Sequence, residues 1–369
     1  MTRTVRIATI AGDGIGPEVV RAAIPIIETA ARHEALTIEW EHLPLGADHY
    51  LETGETLPDS TFEHLRDDVD AILLGALGDP RVAKNEHARD ILLGLRFRLD
   101  LYVNFRPVRL LNENLCALRA ATLPLSHSGA EQGGRVAGRQ IDFVIFRENT
   151  EGSYLGEGTS KNVGTPEEEQ ISFEIHTAPK VSRILHAAFE WAAAHGKTRI
   201  TMADKANAIP AHRMWQRLFA EIGEEFPGIE REHRYVDAIA MELVREPERF
   251  QVIVTNNLYG DILSDLGAGL VGGLGVAASA NLHPGRPGLF EPVHGSAPPL
   301  VGKGVANPMA AVLTGALMLE NLNAPKAAKQ LERAVEEALR ARVMTPDLGG
   351  SATTGDVAAY MADAVADMS

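Results

Sequence analysis

The sequence predicts an α/β fold built on a central sheet, and three observations lead to this expectation. Apolar runs of strand length alternate with longer helical stretches for most of the chain, a pattern typical of strands joined by helices. The chain is 45% hydrophobic and 23% charged, which is ordinary for a globular protein with a large core. Its 369 residues suggest two domains or one elaborated α/β unit.

The predicted elements follow from hydrophobic periodicity. Short apolar runs predict strands at Val5–Ile10, Ala71–Leu74, Phe143–Phe146, Ile200–Met202 and Val252–Thr255. Apolar residues at three- and four-residue spacing predict helices at Pro17–Ala31, Ala178–His195, the stretch after Thr255 through Leu266, Asn307–Leu322 and Lys326–Arg342. The polar, Gly- and Ser-rich stretch Ser126–Gly138 is expected to be a surface loop.

Charge and composition exclude several classes of function. A formal net charge of −15 argues against a general nucleic-acid binder, although local arginines can still attract small anions. The single cysteine, Cys116, cannot form an internal disulfide, as expected in a reducing compartment. No signal-peptide pattern opens the sequence, and five glycines interrupt its longest weakly polar run, Leu266–Leu282. We therefore expect a cytoplasmic protein with neither nucleic-acid nor membrane partners.

The segment Gly12-Asp-Gly-Ile-Gly-Pro-Glu18 lies between the first predicted strand and helix. A classical Rossmann fingerprint needs glycine at position 17, where this chain has a proline suited to the first turn of a helix. Glycines permit a tight turn beside a ligand, and equally a turn with no ligand. The motif alone leaves a binding role open.

Three arginines are candidate ligands for carboxylates. Arg96 lies in a helical register, Arg106 precedes a proline that ends this register, and Arg147 follows the strand Phe143–Phe146. Guanidinium forks grip carboxylates two oxygens at a time, and ligand crevices lie at the carboxyl ends of strands. In isolation such arginines are more often solvated, and sequence alone does not bring the three together.

Asp261 and Asp265 form a candidate metal site. They are four residues apart on one face of a predicted helix, where like charges cost about 0.2–0.5 kcal/mol unless something neutralises them. Mg²⁺ often takes about one or two carboxylates together with substrate oxygens and water. The alternative is an exposed acidic helix face, which the apolar neighbours Ile262 and Leu263 disfavour.

Lys205 follows the strand Ile200–Met202 in the segment Asp204-Lys-Ala-Asn207. A lysine at a strand's carboxyl end can act as a base if desolvation or a nearby cation lowers its pKa. A surface lysine is the commoner explanation.

The Gly-, Ser- and Pro-rich loop from His294 to Asn307 runs into a predicted helix and can contact a nucleotide through its backbone. It does not fit the Walker A pattern, because Ala297 and Gly304 stand where glycine and Ser or Thr are required.

Taken in chain order, these segments resemble the β-decarboxylating dehydrogenases, the family of 3-isopropylmalate, isocitrate, homoisocitrate and tartrate dehydrogenases. The resemblance covers nearly the whole chain, and it is specific because all the motifs occur in the family's order. The motifs are Gly12-Asp-Gly-Ile-Gly-Pro-Glu18, Leu95-Arg-Phe-Arg-Leu-Asp-Leu-Tyr-Val-Asn-Phe-Arg-Pro107, Arg147-Glu-Asn-Thr-Glu-Gly-Ser-Tyr154, Asp204-Lys-Ala-Asn207, Asp237, Asn257-Leu-Tyr-Gly-Asp-Ile-Leu-Ser-Asp265, Glu291-Pro-Val-His-Gly-Ser-Ala-Pro298 and Ala306-Asn-Pro308.

The resemblance implies a two-domain isocitrate/isopropylmalate dehydrogenase-like fold that differs from the classical Rossmann fold. Residues 1–102 and 273–369 would form the cofactor-binding domain. Residues 103–272 would form a central domain with the metal aspartates and the interface of a homodimer with shared active sites.

The resemblance also implies roles for particular residues. The substrate carboxylates would be held by Arg96, Arg106 and Arg147. Asp261 and Asp265 would bind Mg²⁺ or Mn²⁺ together with Asp237 of the partner subunit, which would also lie beside the substrate. Lys205 of the partner subunit would assist removal of the hydroxyl proton, and Tyr154 would protonate the enol left when CO₂ departs.

The same resemblance implies a nicotinamide cofactor lined by two segments, Gly75–Pro80 and His294–Asn307. The residues expected at the cofactor are Gly75, Ala76, His294, Gly295, Ser296, Ala297 and Asn307. NAD-preferring members usually carry an Asp where this chain has Pro299, and the NADP-type Lys-Tyr pair is replaced by Pro299 and Leu300. We expect NAD, because no obvious cation for a 2′-phosphate occupies this position, and NADP stays open.

The substrate expected from the resemblance is 3-isopropylmalate or a close analogue. Leu92 and Leu93 suit an aliphatic group, with Arg89 at the rim of the pocket. However, Arg89 and Asp90 are charged, and the Arg147–Gly152 motif is closer to isocitrate-, homoisocitrate- or tartrate-type members. The alternatives are therefore tartrate or D-malate oxidation, or a homoisocitrate/isocitrate-type reaction. A catalytically silent nucleotide-binding homologue is disfavoured, because it would not need to keep the catalytic and metal-binding residues.

Overall fold

The structure is a computed structural model that describes residues 3–118 and 140–368. The expected loop Ser126–Gly138 lies outside the described residues. Within them the chain divides into two compact units. No helix of the described residues is long and apolar enough to cross a membrane.

The first unit contains residues 3–101, 109–118 and 268–368. Its strands, numbered in chain order and given by their position in the sheet, are β2 (Leu36–His42), β1 (Arg3–Gly12), β3 (Ala71–Ala76), β12 (Gly288–Pro292) and β11 (Ala278–Leu282). The pairs β2–β1, β1–β3 and β3–β12 are parallel, and β12–β11 is antiparallel. Its helices are α1 (Gly16–His33), α2 (Ala47–Thr53), α3 (Asp59–Asp67), α4 (Glu86–Arg98), α9 (Met309–Asn321), α10 (Pro325–Arg340) and α11 (Thr354–Ala366).

The second unit contains residues 102–108 and 140–267. Its strands, in sheet order, are β4 (Val103–Arg109), β5 (Asp142–Glu148), β10 (Val252–Thr255), β8 (Arg199–Asp204) and β9 (Glu230–Tyr235). Strands β5, β10, β8 and β9 are parallel, and a separate antiparallel pair joins β6 (Gly158–Lys161) to β7 (Glu169–Ser172). Its helices are α5 (Ala178–Ala194), α6 (Arg213–Gly223), α7 (Val236–Arg245) and α8 (Asn257–Val271), which continues to Val271 beyond the last residue of the unit.

Helix α1 shows why apolar spacing predicted the elements well. Val19, Ala23, Ile26 and Ala30 recur at three- and four-residue intervals, and all are buried. Pro17 lies in the first turn, where its missing amide hydrogen costs no intrahelical hydrogen bond. Such a buried stripe stabilises the helix against the sheet by the removal of apolar surface from water.

One expectation about helix α4 is wrong. Pro107 was expected to end the helical register around Arg96, but α4 ends at Arg98 and Pro107 lies inside strand β4. The helix is closed by Asp100, which adopts a left-handed conformation with φ of 50°. The amides of Asp100 and Leu101 donate to the carbonyls of Phe97 and Arg96, at 3.1 and 2.8 Å, as in a Schellman motif. The helix therefore ends at this motif, before Pro107 is reached.

Candidate active site

Two arginines and two aspartates of the second unit form one charged cluster. Arg106 lies on β4, Arg147 on β5, and Asp261 and Asp265 on α8, which follows β10. Arg147 Nη1 lies 2.6 Å from Asp261 Oδ1, and Arg106 contacts Asp261 at 3.2 Å and Asp265 at 3.3 Å. The fold thus brings together four predicted site residues from three separate segments of the sequence.

Arg147 is fixed by the neutral side chain of Asn257 as well as by Asp261. Its side chain is 1% exposed, and its Nε and Nη2 both donate to Asn257 Oδ1, at 3.0 and 2.7 Å. A Cβ at Gly260 would lie 2.5 Å from Arg147 Cγ, so only glycine leaves room for the arginine stem. The rigid placement keeps one edge of the guanidinium directed at the cluster.

Arg106 is held in the same manner. Its Nε donates to Asn104 Oδ1 and its Nη1 to Ser264 Oγ, each at 2.7 Å. Ser264 in turn donates to the carbonyl of Asp261, one turn earlier in α8. Two buried, oriented guanidinium groups beside carboxylates make a suitable anion-binding surface once those carboxylates are otherwise engaged.

Tyr154 lies directly against this cluster. Its hydroxyl donates to Asp261 Oδ2 at 2.7 Å, and the Arg147 guanidinium lies 5.2 Å from the centre of its ring. Burial, and then the hydrogen bond to Asp261, raise the pKa of Tyr154 above its usual value. The phenol therefore keeps its proton at neutral pH, the state that a proton donor needs.

Lys205 and Asp237 form a second, separate pair. Lys205 Nζ donates to Asp237 Oδ1 at 2.5 Å, and this hydrogen bond lowers the pKa of Asp237. Among the residues that the structure describes, Asp237 does not join Asp261 and Asp265 in a convergent group of possible metal ligands. The assignment of Asp237 and Lys205 to the active site of a partner subunit stays a prediction.

The two predicted cofactor segments both contact the Gly12–Glu18 turn in the first unit. The amide of Asp13 donates to the carbonyl of Ala76 at 2.7 Å, and the amide of Gly78 donates to Asp13 Oδ2 at 2.7 Å. The amide of Ile15 donates to the carbonyl of Ser296 at 2.9 Å. The Gly12–Glu18 turn therefore lies between the Gly75–Pro80 loop and the His294–Asn307 loop.

Close backbone packing explains the glycines of that turn. A Cβ at Gly12 would lie 2.0 Å from the carbonyl oxygen of Ala76, and one at Gly14 would lie 2.0 Å from that of Ser296. Both glycines also have positive φ angles, 70° and 59°. A Cβ at Gly75 would lie 2.4 Å from a backbone oxygen of β1. These glycines are required by the contacts among the loops, whether or not a ligand is bound.

The other residues of the His294–Asn307 loop that were predicted to line the cofactor have varied environments. His294 Nε2 is a buried ring nitrogen with no hydrogen-bond partner among the described residues, and burial lowers the pKa of this histidine. Asn307 accepts from the amide of Met309 at the start of α9 and donates to Asp347 at 3.0 Å. Gly295 is exposed, and Ala297 has a left-handed backbone with φ of 41°. An unpaired buried nitrogen is what a polar ligand would satisfy.

Arg96 and the predicted substrate-reading residues lie on α4, in the first unit. Arg96 is buried and donates to Glu291 at 2.6 Å. It belongs to a different unit from Arg106 and Arg147. Leu92 is partly buried against the core of this unit, and Leu93 is also partly buried. The Arg89 side chain is 68% exposed and donates to Asp90.

Sequence reasoning missed the residues that orient the arginines. These are Asn104, Asn257, Ser264 and Glu291. All four lie within recognised motifs, but polar residues such as these carry no pattern that indicates which guanidinium they will meet.

Comparison with known proteins gives consistent results. A family profile described as "Isocitrate/isopropylmalate dehydrogenase" matches residues 6–365. A 3-isopropylmalate dehydrogenase from Thermobifida fusca is 42% identical over 357 residues, 96% of either chain. Another, from Mycobacterium marinum, is 43% identical over 340 residues, covering 91% of this chain and 94% of the relative.

Solved structures agree with these sequence matches. A crystal structure of isocitrate dehydrogenase from Methylococcus capsulatus has a TM-score of 0.83 at 35% identity, covering 98% of this chain and 99% of that one. A crystal structure of a β-decarboxylating dehydrogenase from Thermococcus kodakarensis has a TM-score of 0.78 at 32% identity, covering 99% and 97%. The expected α/β fold of this type is confirmed.

Proposed function

Because the chain belongs to the isocitrate/isopropylmalate dehydrogenase family, we propose that it catalyses the NAD-linked oxidative decarboxylation of a 3-substituted malate, foremost 3-isopropylmalate. The family makes the chain an oxidoreductase that acts on a small hydroxy acid. The supporting observation is the joining of Arg106, Arg147, Tyr154, Asp261 and Asp265 in one cluster. This cluster combines carboxylate-binding, metal-binding and proton-donating groups.

The residues present fit a divalent cation. Asp261 and Asp265 offer hard oxygen donors on one helix face, and burial raises the pKa of Asp265, an effect that the neighbouring Asp261 increases. The ion would be Mg²⁺ or Mn²⁺, held by these two aspartates and by Asp237 of the partner subunit. When bound, it supplies a Lewis acid beside the substrate hydroxyl and its carboxylate.

The protein's own residues account for binding and proton transfer. Arg106 and Arg147 hold substrate carboxylates, and the resemblance assigns the same role to Arg96. Lys205 of the partner subunit assists removal of the hydroxyl proton as hydride leaves C2 for NAD. The bond from C3 to its carboxylate then breaks to release CO₂, and Tyr154 returns a proton to C3. Tyr154 is suited to this role because it is protonated at neutral pH.

The packed loops of the first unit fit a dinucleotide. Gly78 has a φ of 128°, and His294 offers an unpaired buried nitrogen among the described residues. Pro299 is exposed and supplies no carboxylate for a ribose hydroxyl. NAD is proposed as the cofactor, with NADP as the alternative that an assay must separate.

The second unit supports a homodimer. Apolar Ile262 was expected to disfavour an exposed face of α8, yet this side chain is 53% exposed. Leu258 of α8, and Met241 and Val244 of α7, are also exposed apolar side chains. Burying exposed apolar surface of this kind against a second copy of the chain would remove it from water and so stabilise a dimer. The cytoplasmic location stays a prediction.

A substrate panel tests the proposal. The purified protein, with Mg²⁺ or Mn²⁺, would be assayed against 3-isopropylmalate, isocitrate, homoisocitrate, D-malate and tartrate with either NAD or NADP. Highest kcat/KM for 3-isopropylmalate with NAD supports the proposal. Equal or better use of D-malate or tartrate would overturn the aliphatic substrate, and no turnover on any compound would overturn the enzyme activity.

A further inference from the structure

Three side chains of the second unit converge on Glu174, a residue that the proposed reaction does not use. Glu174 Oε1 accepts from His176 Nε2 at 3.1 Å, from His212 Nε2 at 3.2 Å and from Asn256 Nδ2 at 3.0 Å. The side chains of both histidines are 1% exposed. The hydrogen bonds from His176, then from His212, lower the pKa of Glu174 to about 2. The carboxylate is therefore charged across the neutral range.

His212 links this carboxylate to the backbone of Lys205. The amide of Lys205 donates to His212 Nδ1 at 3.0 Å. Because a backbone amide can only donate, Nδ1 must present its lone pair, and the ring proton must lie on Nε2. Nε2 is the atom that faces Glu174. The carboxylate thus selects the ring tautomer that accepts the Lys205 amide.

The same tautomer argues against a metal ion in this cluster, although Glu174, His176 and His212 have the spacing of possible ligands. A ring nitrogen that carries a proton has no lone pair for a cation. Coordination through His212 Nε2 would move the proton to Nδ1, where it would face the amide hydrogen of Lys205. The cluster is consequently a hydrogen-bonded array.

The second branch from Glu174 leads to helix α8. Asn256 donates to Glu174 through Nδ2, and its Oδ1 accepts from the amide of Tyr259 at 2.9 Å. Asn256 therefore acts as the N-cap of α8, the helix that carries Asp261 and Asp265. Glu174 therefore accepts hydrogen bonds both from Asn256, the N-cap of α8, and from His212, which accepts the Lys205 amide.

We propose that Glu174 and His212 are positioning residues, which fix the backbone of Lys205 for the partner subunit's active site and the start of the metal-binding helix α8 for the active site of its own chain. This inference rests on the proposed function, in which Lys205 assists removal of the hydroxyl proton. A small displacement of a catalytic group lowers the rate of the chemical step much more than it weakens substrate binding.

Substitutions at His212 separate its two hydrogen bonds. In His212→Asn, Oδ1 takes the place of Nδ1, so the Lys205 amide keeps an acceptor. In His212→Gln, the amide group takes the place of Nε2, so Glu174 keeps a partner and Lys205 loses its acceptor. His186→Gln is a matched control, because His186 lies in the same unit and, within the described part of the chain, bonds to Ser182 of its own helix and, more distantly, to exposed Glu225.

We expect His212→Gln to lower kcat by about tenfold to a hundredfold, with KM for 3-isopropylmalate and NAD changed by less than about threefold. His212→Asn should keep most of kcat, and His186→Gln should match the wild type. Folding would be checked by circular dichroism and Tm. If His212→Gln does not fold, Glu174→Gln serves instead, with a smaller fall in kcat at unchanged KM. Equal kcat in all folded variants, or equal losses in His212→Asn and His212→Gln, would overturn the proposal.

Two measurements independent of turnover complete the test. In ¹⁵N NMR of histidine-labelled protein, the signal that disappears in His212→Asn is assigned to His212. Its chemical shifts should be those of a neutral ring protonated on Nε2. A ring protonated on Nδ1, or doubly protonated at neutral pH, overturns the positioning role even if the wild type is inactive on the whole panel. Native mass spectrometry with Zn²⁺ should show equal occupancy in the wild type and His176→Phe. One ion fewer in the variant would identify a cation site instead.

Discussion

The hydroxyl of Tyr154 donates to Asp261 at 2.7 Å, so the proposed proton donor is in direct contact with a proposed metal ligand. The other oxygen of Asp261 accepts from Arg147 at 2.6 Å. One carboxylate therefore accepts from the phenol through one oxygen and from the guanidinium through the other. This arrangement assigns distinguishable effects to substitutions at the phenol, at the aspartates and around the arginine.

The first prediction concerns the phenol. Tyr154→Phe removes the proton donor but keeps the ring beside Arg147. We expect overall kcat to fall by about a hundredfold or more, the usual contribution of a general acid. Because hydride transfer and the loss of CO₂ precede the protonation, pre-steady-state absorbance at 340 nm should show a burst of NADH followed by a slow steady-state phase. Tyr360→Phe, on α11, is the control. A variant that turns over at the wild-type steady-state rate would show that another group donates the proton.

The second prediction concerns the metal. Chelation by EDTA should abolish turnover, and Mg²⁺ or Mn²⁺ should restore it. Asp265→Asn removes one anionic donor, so we expect the metal concentration for half-maximal rate to rise by about tenfold or more. Asp142→Asn, at an exposed position in the same unit, should leave that concentration unchanged. Full activity after exhaustive chelation would exclude a metal requirement.

The amphipathic and buried elements could be predicted from the sequence because burial imposes a pattern on it. Strands β3 and β10 are buried along their whole length and read as continuous apolar runs. Strand β9, with the sequence Glu-Arg-Glu-His-Arg-Tyr, has no buried residue and was not predicted. It forms because its backbone pairs with β8 over six positions, an interaction that leaves no trace in side-chain polarity.

The residues of the site could likewise be predicted only in part. Motifs identified Arg147, Asp261 and Tyr154, but no spacing rule could show that Arg147 and Tyr154 both bind the carboxylate of Asp261. Glu174 and His212 were not predicted at all, since they are 38 positions apart and meet only through tertiary packing. Contacts of this kind depend on where loops end in space, which local periodicity does not determine.

The third prediction concerns cofactor choice. Pro299→Asp places a carboxylate at an exposed position in the loop that is proposed to bind the adenosine ribose. A charge-assisted contact of this type contributes about 1.5–3 kcal/mol, so KM for NAD should fall by about tenfold or more. KM for NADP should rise, because the carboxylate would repel a 2′-phosphate. Pro298→Asp, one residue earlier, should give no such gain. Unchanged KM for NAD would show that this loop does not contact the ribose.

The fourth prediction concerns the space beside Arg147. In Gly260→Ala the new Cβ would lie 2.5 Å from Arg147 Cγ, and the arginine side chain that would have to shift is 1% exposed. We expect a loss of about 1–3 kcal/mol in the free energy of unfolding and a higher KM for 3-isopropylmalate. Gly269→Ala, on the same helix and with nothing within 4 Å of the added Cβ, should be neutral or stabilising. Similar urea midpoints for the two variants would contradict this account.

The last prediction concerns stability in acid. Hydrogen bonds from His176 and His212 lower the pKa of Glu174 from 4.5 to about 2. A carboxylate whose pKa is lower in the folded state than in the unfolded state stabilises the fold fully above the unfolded value. That contribution is lost as the pH falls from the unfolded pKa towards the folded one.

Glu174→Gln removes this titrating charge while keeping an acceptor oxygen in place. Between about pH 5 and about pH 3, the urea midpoint of the wild type should therefore fall more steeply than that of the variant. Near neutral pH the wild type should be the more stable of the two, because its carboxylate is then charged and accepts from two histidines and Asn256. Glu52→Gln, at an exposed position, should keep the wild-type slope. Parallel slopes for the wild type and Glu174→Gln would mean that Glu174 titrates normally, and the histidines would then not hold it as an anion.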